Sequence, residues 1–202
     1  AGGKTAGSEL SSSWPGLTGG LPELLVESVD IQQLAERCDV VFLALPHGVS
    51  AGLAPALVEQ GVIVIDLGAD FRLRDRETYR RFYGEHPNPD WLVKSVYGLT
   101  EWSRDALAGA TLIANPGCYP TATALAAKPL IEGDWAGELL ISNCLSGVSG
   151  AGRKPSPRSL FCEVGESAQP YAVAGAHRHG PEIEQSLGMR VSFTPHLVPM
   201  SR

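Results

Sequence analysis

Short apolar runs alternate with amphipathic stretches along the first part of the chain. The run DVVFLALP at 39–46 is rich in β-branched residues and lacks polar alternation, which is typical of a strand buried on both faces of a parallel sheet. VIVIDLGADF and TLIANPGC have the same character. Two helical patterns flank the first run, one capped by Asp30 and one stopped by Gly61. This order predicts βαβ units and an α/β fold with a parallel sheet.

The pattern changes near Cys118, from α/β alternation to strands joined by loops. We therefore predict two domains, 1–117 and 118–202, with a short helix and a long excursion at 72–110 in the first. The second domain is predicted to contain a helix, three strands and a further helix, from the segments TATALAAKPLI, ELLISNCLSGV, YAVAGA, PEIEQSLG and VSFTPHLVP.

Composition narrows the classes of function. The 202 residues carry a net charge of -6, with 44% hydrophobic and 19% charged residues, which argues against a nucleic-acid or membrane-surface partner. No run is long enough to span a bilayer, and no signal peptide is visible. The four cysteines form no CxxC pair, so we expect neither a metal site nor a disulfide framework. A cytoplasmic protein that acts on a small molecule fits these features best, and a local pair of arginines could hold an anionic one.

In the segment ANPGCYPT at 114–121, proline and glycine residues determine the backbone conformation around one cysteine, because proline fixes φ and glycine allows φ values that other residues avoid. A strand ending at Asn115 and a helix beginning near Tyr119 place Cys118 at a helix N-terminus. Free N–H groups and the helix dipole favour the thiolate there, which is the form that attacks a carbonyl carbon. The alternative is a buried structural cysteine, the commoner fate of a free thiol.

The segment HRHGPEIE at 177–184 supplies candidate acid/base groups. His177 and His179 alternate on a predicted extended segment, so they should point to opposite sides and only one should face a given site. His179 stands before a helix whose first turn contains Glu182, and a histidine beside a carboxylate can act as an oriented acid/base near neutral pH. The alternatives are a surface position for His177 and a helix-dipole role for Glu182.

Glycine-rich turns follow the predicted strands, where open α/β sheets bind their ligands. LPHGVS places His47 and Gly48 at this edge, and SGVSGAGRKP at 146–155 offers backbone N–H groups to a cofactor or phosphate. Arg72 and Arg153 flank these turns and could clamp an anion. The GxGxxG fingerprint of dinucleotide-binding folds does not follow the first strand, and each turn alone could be an ordinary connector.

Taken together, the motifs ANPGCYPTA, SGVSGAGRKP, HRHGPEIEQ, LPHGVS, VIDLGADFRL, YGLTE and FTPHLVPMSR resemble the N-acetyl-gamma-glutamyl-phosphate reductases of arginine biosynthesis. The resemblance covers nearly the whole chain from about Leu34 onward. It implies a Rossmann-like parallel-sheet NADP-binding domain, and an α+β catalytic and dimerisation domain with a mixed or antiparallel sheet. It also implies a small acyl-phosphate substrate, NADP as cofactor and a homodimer or homotetramer.

The resemblance also implies roles for individual residues. Cys118 would attack the acyl phosphate to give a thioester, His179 would serve as acid/base with His177 as second choice, and Glu182 would orient His179. The other predicted contacts are with the cofactor, from Leu45, Pro46, His47, Gly48, Ser149, Gly150 and Gly152, and with the substrate, from Arg72, Asn115, Ser146 and Arg153.

The chain departs from the family pattern at both ends. The Gly-rich turn that holds the pyrophosphate would precede this sequence, and the continuation of the second domain would follow it. We therefore expect residues 1–202 alone to bind NADP poorly and to turn over little. Three alternatives stay open: a related reductase acting in lysine biosynthesis or on aspartyl phosphate, a non-catalytic protein that inherited the fold, and a cysteine hydrolase.

Overall fold

The structure is a computed structural model that describes residues 5–17, 19, 24–152 and 156–201. Its helices are α1 (Leu10–Ser13), α2 (Ile31–Arg37), α3 (Ser50–Glu59), α4 (Arg76–Tyr83), α5 (Thr100–Leu107), α6 (Cys118–Glu132), α7 (Phe161–Val164) and α8 (His179–Leu187). Its strands are β1 (Val40–Leu43), β2 (Ile63–Asp66), β3 (Val96–Tyr97), β4 (Leu112–Ala114), β5 (Leu139–Ser146), β6 (Gln169–Pro170) and β7 (Arg190–Leu197). Short 3-10 helices lie at Pro15–Leu17, Pro89–Trp91, Val148–Ala151 and Pro157–Ser159.

The first sheet has the spatial order β1-β2-β4-β3, and every neighbouring pair is parallel. The predicted βαβ pattern is therefore confirmed. Both predicted helix signals operate as expected: the N–H of Gln33 donates to the Asp30 side chain at 3.0 Å, and Gly61 has a φ of 87° just beyond α3. The core of this sheet packs against α3, with Leu57 and Val64 fully buried.

The prediction that the run at 39–46 is buried on both faces is wrong. β1 lies at the edge of the sheet, and its side chains alternate: Leu43 is buried, whereas Phe42 is 64% exposed. Burial on both faces needs helices on both sides of a parallel sheet. An apolar run alone does not reveal whether both sides are covered.

The excursion at 72–110 has more regular structure than the sequence indicated. The predicted short helix is α4, but β3 and α5 were not predicted. A strand of two residues is too short to produce a period-2 pattern, so β3 left no signal. It nevertheless extends the parallel sheet beside β4, in register Val96↔Ile113 and Tyr97↔Ala114.

The second sheet is mixed, as predicted. β5 runs parallel to β7 along its whole length, and β6 pairs antiparallel with β7. The helices α6 and α8 lie against each other and against this sheet, and Tyr119, Ile183 and Phe193 form their shared core. The predicted strand YAVAGA is wrong: it forms turns, in which Ala172 and Ala174 have φ values of 43° and 55°.

The connection from β4 to α6 joins the two sheets. β4 belongs to the first sheet, whereas α6 packs on the second through β5. The turn Asn115–Gly117 between them therefore lies where the two layers meet. Residues from the ends of both layers can converge on whatever follows this turn.

Candidate active site

Cys118 is the first residue of α6, and its side chain is exposed. Gly117 precedes the helix with extended backbone angles and acts as its N-cap. Pro120 falls in the first helical turn, where a missing N–H costs nothing because that N–H would have no partner within the helix. The two prolines and the glycine thus place a thiol at a helix start, as the sequence predicted.

Gly117 is required by the close approach of its neighbours. A Cβ at this position would lie 2.7 Å from Nε2 of His179 and 2.9 Å from Nη1 of Arg72. Real side chains do not tolerate such distances. The absence of a side chain therefore lets the His179 imidazole lie directly against the turn that precedes Cys118.

The two histidines do not point to opposite sides, so that prediction is wrong. Their ring centroids are 4.8 Å apart, and the backbone N–H of His179 donates to Nδ1 of His177 at 3.1 Å. The reason is local: α8 begins at His179, so the segment turns into a helix instead of continuing as a strand. Both rings line the same cavity as Cys118.

Burial keeps both imidazoles neutral at neutral pH. It lowers the pKa of His179 to about 3, assisted by repulsion from His177 when that ring is protonated and from the positive charges of Arg72 and Arg178. It also lowers the pKa of His177 to about 4, with Arg178 contributing. Nδ1 of His179 is buried without a hydrogen-bond partner among the described residues. A negative charge placed in the cavity would raise both pKa values.

Among the described residues Glu182 makes no hydrogen bond to His179, so its role in orienting His179 stays a prediction. Its Oε1 accepts the Tyr97 hydroxyl and the Gly117 N–H, each at 2.8 Å, and its Oε2 lies 3.6 Å from Nη1 of Arg72. The carboxylate is 1% exposed, and burial raises its pKa. Glu182 fastens the turn that carries Cys118.

Arg72 and Asn115 lie behind this turn and do not line the cavity. Nε of Arg72 donates to the Asn115 carbonyl at 2.8 Å, and Nη2 donates to the Leu67 carbonyl at 3.0 Å. Arg72 is only 8% exposed, so it acts here as a support between strand ends. The Asn115 amide donates to the Pro116 carbonyl at 3.2 Å. The structure thus gives both residues partners other than the predicted substrate.

The cavity around Cys118 has a volume of about 320 Å³. Of the predicted residues it brings together Cys118, Ser146, Gly150, His177 and His179. Its remaining lining residues are Tyr119, Ala151, Arg158, Gln169, Tyr171, Arg178 and Leu197.

Sequence reasoning missed Arg158 and Arg178, the arginines that line this cavity among the described residues. Arg178 stands between the two histidines, so its position in HRH was an available signal. Arg158 follows a poorly patterned loop and gave none. Arg153, which was predicted to bind substrate, lies outside the described residues.

The glycine-rich loop at 146–152 does not offer its N–H groups freely, contrary to expectation. The N–H groups of Ser149, Gly150 and Gly152 donate to the carbonyls of Ser201, Gly147 and Ser149 at 3.2, 3.1 and 3.0 Å. The loop closes on itself as a 3-10 turn. It borders the cavity through Ser146, Gly150 and Ala151, whereas Ser149 and Gly152 do not line it.

Neither a metal cluster nor a membrane span is found in the part of the chain that the structure describes. No group of three or more His, Cys, Asp or Glu residues there could hold a metal ion. None of the described helices combines the length and the apolar character needed to cross a bilayer. All four cysteines are free thiols.

Comparison with known families decides how to interpret this arrangement. The NAD binding domain of semialdehyde dehydrogenases matches residues 1–110, and their dimerisation domain matches residues 118–202. The chain belongs to the semialdehyde dehydrogenase family.

Within this family, the predicted resemblance is confirmed by curated relatives named N-acetyl-gamma-glutamyl-phosphate reductase. The protein of Halorhodospira halophila is 49% identical and that of Ectopseudomonas mendocina 50% identical, each over 98% of this chain. The protein of Yersinia pestis is 50% identical over the same share. The chain spans 59% of the length of these relatives.

Solved structures of semialdehyde dehydrogenases confirm the fold. Aspartate semialdehyde dehydrogenase II from Vibrio cholerae matches with a TM-score of 0.67 at 18% identity, over 99% of this chain and 61% of its own. The Candida albicans enzyme, solved with NADP, matches with a TM-score of 0.64 at 18% identity, over 100% and 60%. The predicted architecture, a Rossmann-like parallel sheet followed by a domain with a mixed sheet, is that of this family.

In a semialdehyde dehydrogenase fold, the carboxyl edge of the first sheet is the place to test for a dinucleotide. The side chains of Pro46 and Leu67 are exposed at this edge, and a Cβ at Gly48 would meet nothing within 4 Å. The edge is therefore open at these positions. Asp70 holds the loop from behind, because it accepts His47 Nδ1–H at 2.7 Å and the Gly48 N–H at 2.8 Å.

Proposed function

We propose that the full-length protein reduces N-acetyl-gamma-glutamyl phosphate to N-acetylglutamate 5-semialdehyde, with NADPH as the reductant and release of phosphate. The observation that carries the proposal is the position of Cys118, which starts a helix and opens into a cavity with His177 and His179. The names of the relatives supply the substrate. A related acyl-phosphate reductase of lysine biosynthesis, or one like aspartate-semialdehyde dehydrogenase, is the second candidate.

The charge of the cavity suits an anionic substrate. Arg158 and Arg178 line it together with Gln169 and Ser146. A guanidinium binds phosphate or carboxylate oxygens in a bidentate manner. An acyl phosphate with a free carboxylate offers one such group at each end, which matches two separate arginines.

The residues of the chain have distinct tasks in the proposed reaction. The thiolate of Cys118 attacks the acyl carbon, the bond from that carbon to the phosphate oxygen breaks, and a thioester forms as phosphate leaves. The nicotinamide, when bound, supplies a hydride. The helix start beside Cys118 offers N–H groups to the oxyanion. His179, with His177 as second choice, gives a proton to this oxyanion and takes it back as the bond between this carbon and the Cys118 sulfur breaks, which releases the semialdehyde and restores the thiolate. The same residue removes and returns the proton in the reverse direction.

The neutral state of His179 fits this cycle. With a pKa of about 3 the imidazole is not in its protonated, acidic form while the cavity is empty. A negative charge in the cavity, first that of the substrate and then that of the developing oxyanion, opposes the arginines and raises that pKa, so the reaction itself prepares the acid. Proton donation then occurs only when a substrate is present.

The cofactor contacts follow from the open edge of the first sheet. Leu45, Pro46, His47 and Gly48 would lie beside NADP there, and Gly150 would approach it from the cavity side. Ser149 and Gly152 would act by shaping the loop, since their N–H groups already have acceptors. Ser146 is retained as a substrate contact.

The remaining predictions concern organisation. We propose a division at 1–117 and 118–202, a homodimer or homotetramer, and a cytoplasmic location. The exposed apolar face of β5 supports self-association, since Leu139, Ile141 and Leu145 are 49%, 68% and 63% exposed. A family match to a dimerisation domain at 118–202 points the same way.

The test is the reverse reaction of the full-length gene product. N-acetylglutamate semialdehyde, phosphate and NADP are mixed, and NADPH absorbance is followed for the wild type, Cys118→Ala and Cys162→Ala. Cys162 is a second exposed cysteine outside the cavity, so its variant is the matched control. We expect phosphate-dependent NADPH formation that falls at least roughly 1,000-fold in Cys118→Ala only.

Other outcomes separate the candidates. A signal only with a longer or carrier-linked aldehyde moves the protein to the second candidate. No signal with any aldehyde contradicts the reductase proposal.

A further inference from the structure

Tyr97 connects the first sheet to the turn that carries the nucleophile. It is the last residue of β3, and its hydroxyl donates to Oε1 of Glu182 at 2.8 Å. The same oxygen accepts the Gly117 N–H at 2.8 Å. A hydroxyl from one layer and the backbone of the Cys118 turn thus meet on a single buried carboxylate oxygen of α8.

The other carboxylate oxygen of Glu182 lies near Arg72, which could attract the carboxylate away from Gly117. Oε2 has no hydrogen bond among the described residues and lies 3.6 Å from Nη1 of Arg72. This distance is longer than a charge-assisted hydrogen bond, so the pair could close further. Arg72 itself cannot move freely, because its other nitrogens hold the carbonyls of Asn115 and Leu67. Closing the gap would require the carboxylate to rotate towards Arg72, away from Gly117.

We propose that Tyr97 is a positioning residue, which keeps the Glu182 carboxylate on the Gly117 N–H against the pull of Arg72. Glu182 stands three residues after His179 on the same helix, so the two side chains share one face. Fixing Glu182 to Gly117 therefore also fixes the distance between His179 and the start of α6. Tyr97 acts on the reaction through these residues and does not line the cavity.

The test is Tyr97→Phe in the full-length protein, which removes only the hydroxyl. Its kinetic part rests on the proposed function. We expect kcat to fall roughly tenfold while KM changes less than about twofold, since misplacement of reacting groups affects turnover more than binding. The second measurement is the rate of alkylation of Cys118 by iodoacetamide, relative to Cys162 in the same molecule, followed by peptide mass spectrometry. We expect this ratio to fall about threefold, because a loosened turn no longer holds the thiol in its exposed position at the start of α6.

A matched control is available two residues earlier. The Ser95 hydroxyl is also buried and donates to the Phe71 carbonyl at 2.9 Å. Ser95→Ala therefore loses a buried hydroxyl in the same segment without touching Glu182. We expect it to lower the melting temperature as much as Tyr97→Phe, with kcat and the alkylation ratio unchanged.

The readouts separate the two proposals. An unchanged or raised alkylation ratio in Tyr97→Phe overturns the inference whatever happens to kcat, as does an equal fall of the ratio in Ser95→Ala. A wild type without turnover contradicts the proposed function, while the alkylation ratio still decides the role of Tyr97.

Discussion

Two turns that follow parallel strands are each held by a buried carboxylate, but from different directions. After β1, the Gly48 N–H donates to Asp70 at 2.8 Å, and after β4 the Gly117 N–H donates to Glu182 at 2.8 Å. Asp70 follows β2, so the first turn is fastened within its own layer. Glu182 lies on α8, so the second turn is fastened to a helix that packs on the other sheet.

The two carboxylates therefore have different functions: Asp70 supports a loop, whereas Glu182 positions the proposed reacting groups relative to each other. Asp70 also accepts the Ala51 N–H at 2.9 Å and so caps the start of α3. Its contacts thus hold the loop and the first turn of this helix. Glu182 joins the turn before Cys118 to the helix that begins with His179. Apolar packing between two layers does not by itself fix such a distance, whereas a directional hydrogen bond does.

The comparison is tested most strongly by removing each carboxylate. Glu182→Ala leaves Arg72 buried without its partner and should lower the free energy of unfolding by about 3–5 kcal/mol. Asp70→Ala removes the acceptor of the buried Ala51 N–H and of the Gly48 N–H, of which only the second lies on an exposed loop where water can replace it, and should cost about 1–3 kcal/mol. Urea denaturation of the full-length variants measures both. Equal losses, or a larger loss for Asp70→Ala, would contradict the distinction between the two anchors.

The two glycines give a smaller effect and a sharper contrast. At Gly117 an added Cβ would meet His179 and Arg72, so Gly117→Ala must shift one of them and should cost about 1–3 kcal/mol. At Gly48 the space is open but φ is 84°, so Gly48→Ala should cost only about 1 kcal/mol of backbone strain.

Turnover and stability together distinguish the two mechanisms. Displacement of His179 by Gly117→Ala should lower kcat at least roughly 100-fold. Gly48→Ala is the comparison variant, in which only the smaller cost of backbone strain is expected. If Gly117→Ala retained wild-type kcat, the close approach of His179 to this turn would have no part in the reaction.

The sequence predicted the turn and its thiol because the signal there is local. Proline and glycine around Cys118 restrict the backbone whatever the rest of the chain does, and the helix start followed from them. The same is true of Asp30 and Gly61 at their helix ends. The exposed side of β1 was missed because burial depends on what covers a strand, and the run at 39–46 contains no information about that.

The local sequence could not predict the partners of the charged residues. Glu182 was assigned to the histidine three residues before it, yet its hydrogen bonds are with Tyr97 and Gly117, far away in sequence. Arg72 was expected to meet an anion from the substrate, but it meets two carbonyls and Glu182. The long-range packing of α8 against the end of the first sheet decides both, and β3, which supplies Tyr97, was too short to predict.

The smallest expected effect concerns pH and the helix that Glu182 fastens. The pKa of His179 is about 3 in the folded protein, against 6.5 for an ordinary histidine. Between these values the unfolded chain binds a proton that the folded chain does not. The contribution of His179 to the free energy of unfolding is therefore fully present above pH 6.5 and decreases as the pH is lowered. Over one pH unit below 6.5, the wild type should lose about 1 kcal/mol more than His179→Gln.

A comparison of the two proteins isolates this term. Burial raises the pKa values of Glu182 and Asp66, whose protonation acts in the opposite direction, but both carboxyls are present in both proteins. His177 has a pKa of about 4 and also remains in both, so the wild type and the variant should differ by the titration of one imidazole. Urea denaturation of both proteins at about pH 7.5, 6.5 and 5.5 measures the difference in their free energies of unfolding across the range in which the histidine of the unfolded chain is protonated. Parallel curves for the wild type and His179→Gln would mean that His179 takes up a proton as readily in the folded protein as in the unfolded chain. The imidazole would then not be held neutral by burial, and the proposed protonation on substrate binding would lose its basis.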